Sequence, residues 1–272
     1  MIPAAFEYVR ADSAEAALAA LAEHGDDAKL LAGGMSLLPL MKLRLATPTV
    51  LVDVGRLRDL SYVRDGGDHV AIGALTRHRD LETSALLAEA CPALRGVAAE
   101  VGDNQVRHRG TLGGSVAHGD PASDLPAALL ALDATFVVRG PGGERTISAD
   151  GFFQGFLETA LAPDELLTEI RVPKATGGWD YQKFNRRAQD WAIVGALVVR
   201  NGSTRVALVN MGGTPLRARA VEEALAGGAS VADAAALAAE GTDAPADLNA
   251  SPEYREHLAR VLVRRALEAA GA

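Results

Sequence analysis

Apolar residues come in short runs along this chain, broken by Gly, Pro and charged clusters, and the spacing within each run predicts its element. Phe6, Tyr8 and Val9 start a short strand. Asp12 is placed to cap an Ala-rich helix, with Glu15 three residues on as in a capping box, and that helix runs through Leu18 and Leu21 to a stop at Gly25. Lys29 to Ala32 reads as a buried strand, and a Gly pair follows. Ser36 to Arg44 reads as a helix ending before Pro48, and Thr49 to Val54 as a strand. Residues 1–54 therefore predict a β-α-β-α-β unit.

The next segment is more mixed. Val70 to Ile72 is a strand, Thr76 can cap a short helix, and Ala85 to Val101 offers two helices split at Pro92. Residues 102–124 are rich in Gly, His, Ser and Asp with little periodicity, which predicts a long functional loop. Helix Leu125 to Leu132, strand Thr135 to Arg139, a turn at Pro141-Gly142-Gly143 and strand Leu166 to Val172 follow. Pro173 to Gly178 reads as a linker. Beyond it, Ala192 to Arg200 and Thr204 to Asn210 flank Asn201-Gly202, a hairpin signal. Helices at Ala218 to Ala226, Val231 to Ala239 and Pro252 to Ala270 close the chain. The last carries a core stripe of Leu258, Leu262 and Leu267.

Hydrophobic residues make up 49% of the 272, enough to build a core, and the net charge of −8 argues against nucleic acid as a partner. The longest apolar runs fall well short of the ~20 residues of a membrane span, and the N-terminus lacks a signal-peptide pattern, so a cytoplasmic location is expected. Cys91 is the one cysteine. It can close no disulfide within the chain and hold no iron–sulfur cluster, so any such cluster must sit on another polypeptide.

Two glycine motifs carry most of the chemistry. Ala32-Gly33-Gly34-Met35-Ser36 lies between a strand and a helix, and Thr111-Leu112-Gly113-Gly114-Ser115 lies inside the long polar loop. Paired glycines let backbone N–H groups approach an anion, and Ser36 sits where a helix dipole favours phosphate. Neither motif is a Walker loop or a Rossmann fingerprint. Each alone reads as a turn; together they could clamp one diphosphate from two sides.

The stretches KLLAGGMSLLPLMKLR, VRHRGTLGGSVAHGDPASDLPAALLAL, ELLTEIRVP and YQKFNRRAQDWAIVGALVV resemble the FAD-binding medium subunits of the molybdenum hydroxylases. The nearest group is that of the carbon monoxide dehydrogenase medium subunits, with the FAD domain of xanthine dehydrogenases as a further relative. The resemblance covers essentially the whole chain. It implies an α+β fold: a p-cresol methylhydroxylase/vanillyl-alcohol oxidase-type FAD domain over residues 1–176, in two lobes of about 1–54 and 55–176. A smaller C-terminal α/β domain would span 177–272. Both glycine motifs would cradle the FAD pyrophosphate, with Lys29 beside the first. Met35 stands where relatives often carry Gln or His, and Ser115 where they often carry Asn; both changes leave the backbone donors intact.

Further positions have two readings each. Asp124 reads as a helix N-cap, and by resemblance as a contact to the FAD sugar or ribityl hydroxyls. Val101 and Leu167 read as core, and by resemblance as apolar neighbours of the flavin ring. Lys183 lies in a charged strand that reads as a solvated face; the resemblance puts its ammonium near the flavin pyrimidine, where it would stabilise an anionic reduced flavin. Trp191 reads as core or, by resemblance, as an aromatic lying against the isoalloxazine, which is the favoured reading. His108 and His118 read as ordinary loop histidines, not metal ligands. Arg107, Arg109, Arg186 and Arg187 read as solvated surface, or as contacts to FAD or a partner subunit.

The resemblance thus implies a non-covalent FAD subunit with no catalytic acid, base or nucleophile of its own. A large partner would carry the molybdenum cofactor and a small one the iron–sulfur clusters. Electrons would pass from the clusters to this FAD and on to an external acceptor. The alternatives are a self-sufficient FAD oxidase or reductase of the same superfamily, and a non-catalytic assembly subunit.

Overall fold

The computed structural model describes residues 2–272. The first region is built from β1 (Glu7–Arg10), α1 (Ala14–His24), β2 (Ala28–Leu31), α2 (Leu37–Leu43) and β3 (Val50–Asp53). Its three strands are parallel in the order β1-β3-β2, as crossover helices require. The cap of α1 is Ser13, not Asp12: Ser13 Oγ accepts from Ala16 N, and Asp12 instead pairs with Arg10.

The second region runs through β4 (Val63–Asp65), β5 (His69–Gly73), α3 (His78–Thr83), α4 (Ala85–Ala90), α5 (Pro92–Ala99), α6 (Asn104–Arg109), α7 (Leu112–His118) and α8 (Asp124–Ala131). It continues with β6 (Thr135–Gly140), β7 (Gly143–Ser148), α9 (Ala149–Phe152), the small pair β8 (Phe153–Gly155) and β9 (Glu158–Thr159), and β10 (Leu166–Pro173). Five strands form an antiparallel sheet, β4-β5-β10-β6-β7. Residues 102–124 are not one long loop, since they contain α6 and α7. Thr76 does not cap α3: the cap position is Arg77, and Thr76 Oγ1 exchanges hydrogen bonds with the Tyr62 backbone.

The third region holds β11 (Trp179–Phe184), β12 (Val194–Asn201), β13 (Ser203–Val209), β14 (Leu216–Arg217), α10 (Arg219–Ala226), α11 (Val231–Ala236) and α12 (Pro252–Ala269). Its sheet is antiparallel in chain order, and Gly202, at φ 77°, makes the β12–β13 turn. Both faces of β12 and β13 are buried. Leu197, Val199, Ala207 and Val209 enter the central core with α5 and α8, while Ala196, Val198, Val206 and Leu208 pack toward α12. Double-sided burial explains why these strands read as unbroken apolar runs.

Pro173 to Gly178 is correspondingly no free linker. Ala175 N donates to Ala90 O, and Arg200 N donates to Gly178 O. A Cβ on Gly178 would stand 2.2 Å from Ala270 O, so the glycine lets the chain pass against the end of α12. Among the described residues no helix is long and apolar enough to cross a membrane.

Candidate functional site

The two glycine motifs meet. A Cβ on Gly33 would lie 2.2 Å from Arg109 O, and one on Gly114 would lie 3.8 Å from Ala32 Cβ, so the first motif rests on the segment leading into the second. They differ in what they offer. In the first, Gly34 has φ 76°, which favours glycine, and the N–H groups of Gly33, Gly34, Met35 and Ser36 have no acceptor among the described residues. Ser36 makes no side-chain cap bond, Met35 is exposed, and Lys29 is exposed beside them on β2.

The second motif uses its N–H groups internally. Leu112 N donates to Thr76 O, Gly113 N to Ala74 O, Gly114 N to Thr111 Oγ1 and Ser115 N to Thr111 O. Thr111 is therefore the N-cap of α7, and Gly113 and Gly114 form its first turn. Gly113 is buried against Ala74, so this motif supplies half-buried Gly114, bare of a side chain, and the Ser115 hydroxyl; the open N–H donors come from the first. Open N–H donors beside a glycine turn fit an anionic diphosphate.

Asp124 lies beyond these loops at the first turn of α8, and it is not the cap, which falls at Ser123. Its carboxylate is buried. Oδ2 accepts from Lys183 Nζ at 2.8 Å and Oδ1 from the Tyr181 hydroxyl at 2.5 Å. Lys183 Nζ also donates to Glu100 O at 2.8 Å. The Lys183 side chain is only 6% exposed, so the solvated-face reading is wrong. Burial raises the Asp124 carboxyl above its ordinary value against the opposing pull of Lys183, and burial together with Asp124 pushes the Tyr181 phenol well up.

Strand alternation explains the placement. Trp179, Tyr181 and Lys183 share one face of β11, and Trp179 packs so closely on α5 that a Cβ at Gly96 would meet its ring at 2.1 Å. Tyr181 was missed in the sequence, although the W-x-Y-x-K period carried the signal.

Val101 is half-buried against the central core, one residue after Glu100, and Leu167 is buried in β10 opposite Val138. Trp191 is 59% exposed, which removes the core reading. It stands in the 185–193 loop, whose base is closed by three bonds: Ile193 N to Phe184 O, Asn210 Nδ2 to Ala192 O, and buried Arg255 to Ile193 O. Arg107 is not plain surface; it pairs with Glu82 at 2.9 Å and donates to Val101 O, bracing the turn beside the site. Arg109, Arg186 and Arg187 are exposed. His108 Nδ1 lies 2.6 Å from Asn104 O, while His78, under Gly110, is pushed down to about 4 by burial and stays neutral. Cys91 is buried, and burial pushes its thiol up to about 11, which keeps it unreactive.

Residues 4–175 match the family described as the FAD binding domain in molybdopterin dehydrogenase, and residues 179–270 match the CO dehydrogenase flavoprotein C-terminal domain. The chain is 45% identical to the carbon monoxide dehydrogenase medium chain of Hydrogenophaga pseudoflava, covering 100% of this chain and 99% of that one. It is 38% identical to subunit alpha of the 6-hydroxypseudooxynicotine dehydrogenase complex of Paenarthrobacter nicotinovorans, over 98% and 95% of the two chains. The solved structure of carbon monoxide dehydrogenase from Hydrogenophaga pseudoflava superposes with a TM-score of 0.95 at 45% identity, covering 99% and 98%. The chain therefore belongs to the FAD-binding flavoprotein subunits of the molybdenum hydroxylases, the family of the carbon monoxide dehydrogenase medium chains.

Proposed function

We propose that this chain holds one FAD non-covalently and relays electrons from the iron–sulfur clusters of a small partner to an external acceptor. The substrate is oxidised at a molybdenum cofactor on a large partner. Residues 1–176 form the FAD-binding domain in two lobes, about 1–54 and 55–176, and residues 177–272 form the C-terminal flavoprotein domain. A cytoplasmic location belongs to the same proposal.

The observation that carries it is the contact between the two glycine motifs, with four consecutive N–H groups left open on one of them. These donors, from Gly33 to Ser36, would take the diphosphate, with the turn at Gly114 against its other side and Ser115 adding a hydroxyl. FAD supplies the exchange between one- and two-electron chemistry, and the protein supplies position and electrostatics. Val101 and Leu167 would offer apolar contact to the ring, and Trp191 would cover it from solvent. Asp124 and Lys183 would form a fixed charge pair beside it.

The experiment compares the full chain loaded with FAD against the complex with both partners. Carbon monoxide and N-heterocycles are the trial substrates, with an artificial dye as acceptor. Dye reduction is expected only in the complex. Turnover by the chain alone would favour the self-sufficient oxidase.

A further inference from the structure

The network around Asp124 joins three separate parts of the chain. The carboxylate is on α8, the phenol and ammonium are on β11, and the carbonyl taken by Lys183 belongs to Glu100 at the end of α5. Each carboxylate oxygen has its own donor, so the orientation of the group is fixed from both sides. Lys183 alone would hold only Oδ2 and leave Oδ1 without a donor.

A second feature shows that the phenol's reach is provided for. Gly195 lies opposite Lys183 in the β11–β12 register, and a Cβ there would come within 2.8 Å of the Tyr181 hydroxyl and 3.0 Å of Val209 Cβ. The missing side chain on β12 is the space the hydroxyl occupies. Gln182, the intervening residue, points to the other face and donates to Asp180.

We propose that Tyr181 is a positioning residue for the flavin site: its hydroxyl locks Asp124 against Lys183, so that the pair presents a balanced, immobile charge to the bound cofactor. This rests on the FAD reading above and adds a residue to it. Removing the phenol hydroxyl takes a donor from a buried carboxylate, which then binds a proton more readily. A protonated Asp124 takes away the carboxylate in contact with Lys183 and leaves only the Glu100 carboxylate, which also acts on this network, against the ammonium; the less compensated cation favours the reduced, more anionic flavin.

The test uses the full chain carrying Tyr181→Phe, with Gly195→Ala as a second variant that displaces the hydroxyl without deleting it. Gln182→Ala, on the opposite face of β11, is the control. Two readouts are taken. In the FAD-free chain, carbon-13 NMR of the Asp124 carboxyl follows its titration, which moves to higher pH in Tyr181→Phe and Gly195→Ala and stays put in Gln182→Ala. In the FAD-loaded chain, the midpoint potential becomes more positive in the same two variants. A tenfold gain in affinity for reduced over oxidised flavin corresponds to about 30 mV for a two-electron couple. An unmoved Asp124 titration in Tyr181→Phe would overturn the lock itself. A moved titration with an unchanged flavin potential would overturn its role toward the flavin. A wild-type chain that takes up no FAD, free or with its partners, would overturn the FAD reading and this inference together.

Discussion

Adding a single methyl to either glycine motif separates what the fold needs from what the cofactor needs. In Gly33→Ala the new carbon would sit 2.2 Å from Arg109 O and 2.9 Å from both Arg109 C and Gly110 Cα. Ordinary contact begins near 3.4 Å, so backbone must retreat by roughly 1.2 Å in a place held by the bonds of Thr76 and Ala74 to α7. Overpacking of this kind costs about 1–3 kcal/mol, so Gly33→Ala should lose that much stability without any cofactor present. Gly114→Ala is different. Its methyl meets only the Thr111 hydroxyl at close range, 2.7 Å, and clears Ala32 at 3.8 Å. The expected loss is that of a weakened N-cap, about 1 kcal/mol. Its affinity for FAD should nevertheless fall at least tenfold, about 1.4 kcal/mol, because the methyl stands on the bare turn where the diphosphate is to lie. Urea unfolding of the FAD-free chains and fluorescence titration with FAD measure the two losses separately. Wild-type FAD affinity in Gly114→Ala would show that the second motif is only a turn. Equal stability of Gly33→Ala and wild type would show that the motifs do not touch.

Three further outcomes follow from the same geometry. Lys183→Met leaves the Asp124 carboxylate buried and unpaired and should destabilise the chain by about 3–5 kcal/mol, with Asp124→Asn in the same chain recovering a large part; urea unfolding measures the cycle. The native Asp124 pKa is raised above its unfolded value, so the native state keeps a proton the unfolded state has lost, and stability falls as pH rises from the ordinary Asp value through the raised one. Asp124→Asn should remove that fall from a series of unfolding curves across acidic pH, and an unchanged slope would mean that another group sets it. Trp191→Leu should brighten bound-flavin emission, because an indole against the isoalloxazine quenches it; unchanged emission at equal FAD occupancy would place Trp191 elsewhere.

The features legible in the sequence were those decided locally. The Asn201-Gly202 hairpin needs one residue with φ above zero, and the leucine stripe of α12 needs only the helical period, so both show in the letters. The failures came where tertiary packing overrides propensity. Helix α7, with two glycines in seven residues, is a poor helix on its own; it forms because Thr111 caps it and Gly113 fits against Ala74. Capping was read one residue early at α1 and α3, since Asp12, Ser13, Thr76 and Arg77 offer adjacent choices that only the approach of the chain decides.

Within the site, the first glycine motif was legible because its chemistry is in its own backbone. Asp124, as a cap or an FAD sugar contact, and Lys183, as a solvated or flavin-side cation, were each singled out, but as separate groups. Their pairing depends on β11 turning alternate residues onto α5 and α8, a contact between positions 59 residues apart. Tyr181 was overlooked for the same reason: a tyrosine in a strand looks ordinary until a buried carboxylate is found at its hydroxyl.

The central claim is that this chain itself holds the flavin. Its most direct test is the flavin content of the purified complex and of this chain separated from it, read from absorbance before and after acid precipitation. One FAD per copy of this chain, released wholly into the supernatant, is the result expected. Flavin that stays with the pellet, or flavin that remains with the partner subunits when this chain is removed, would contradict it.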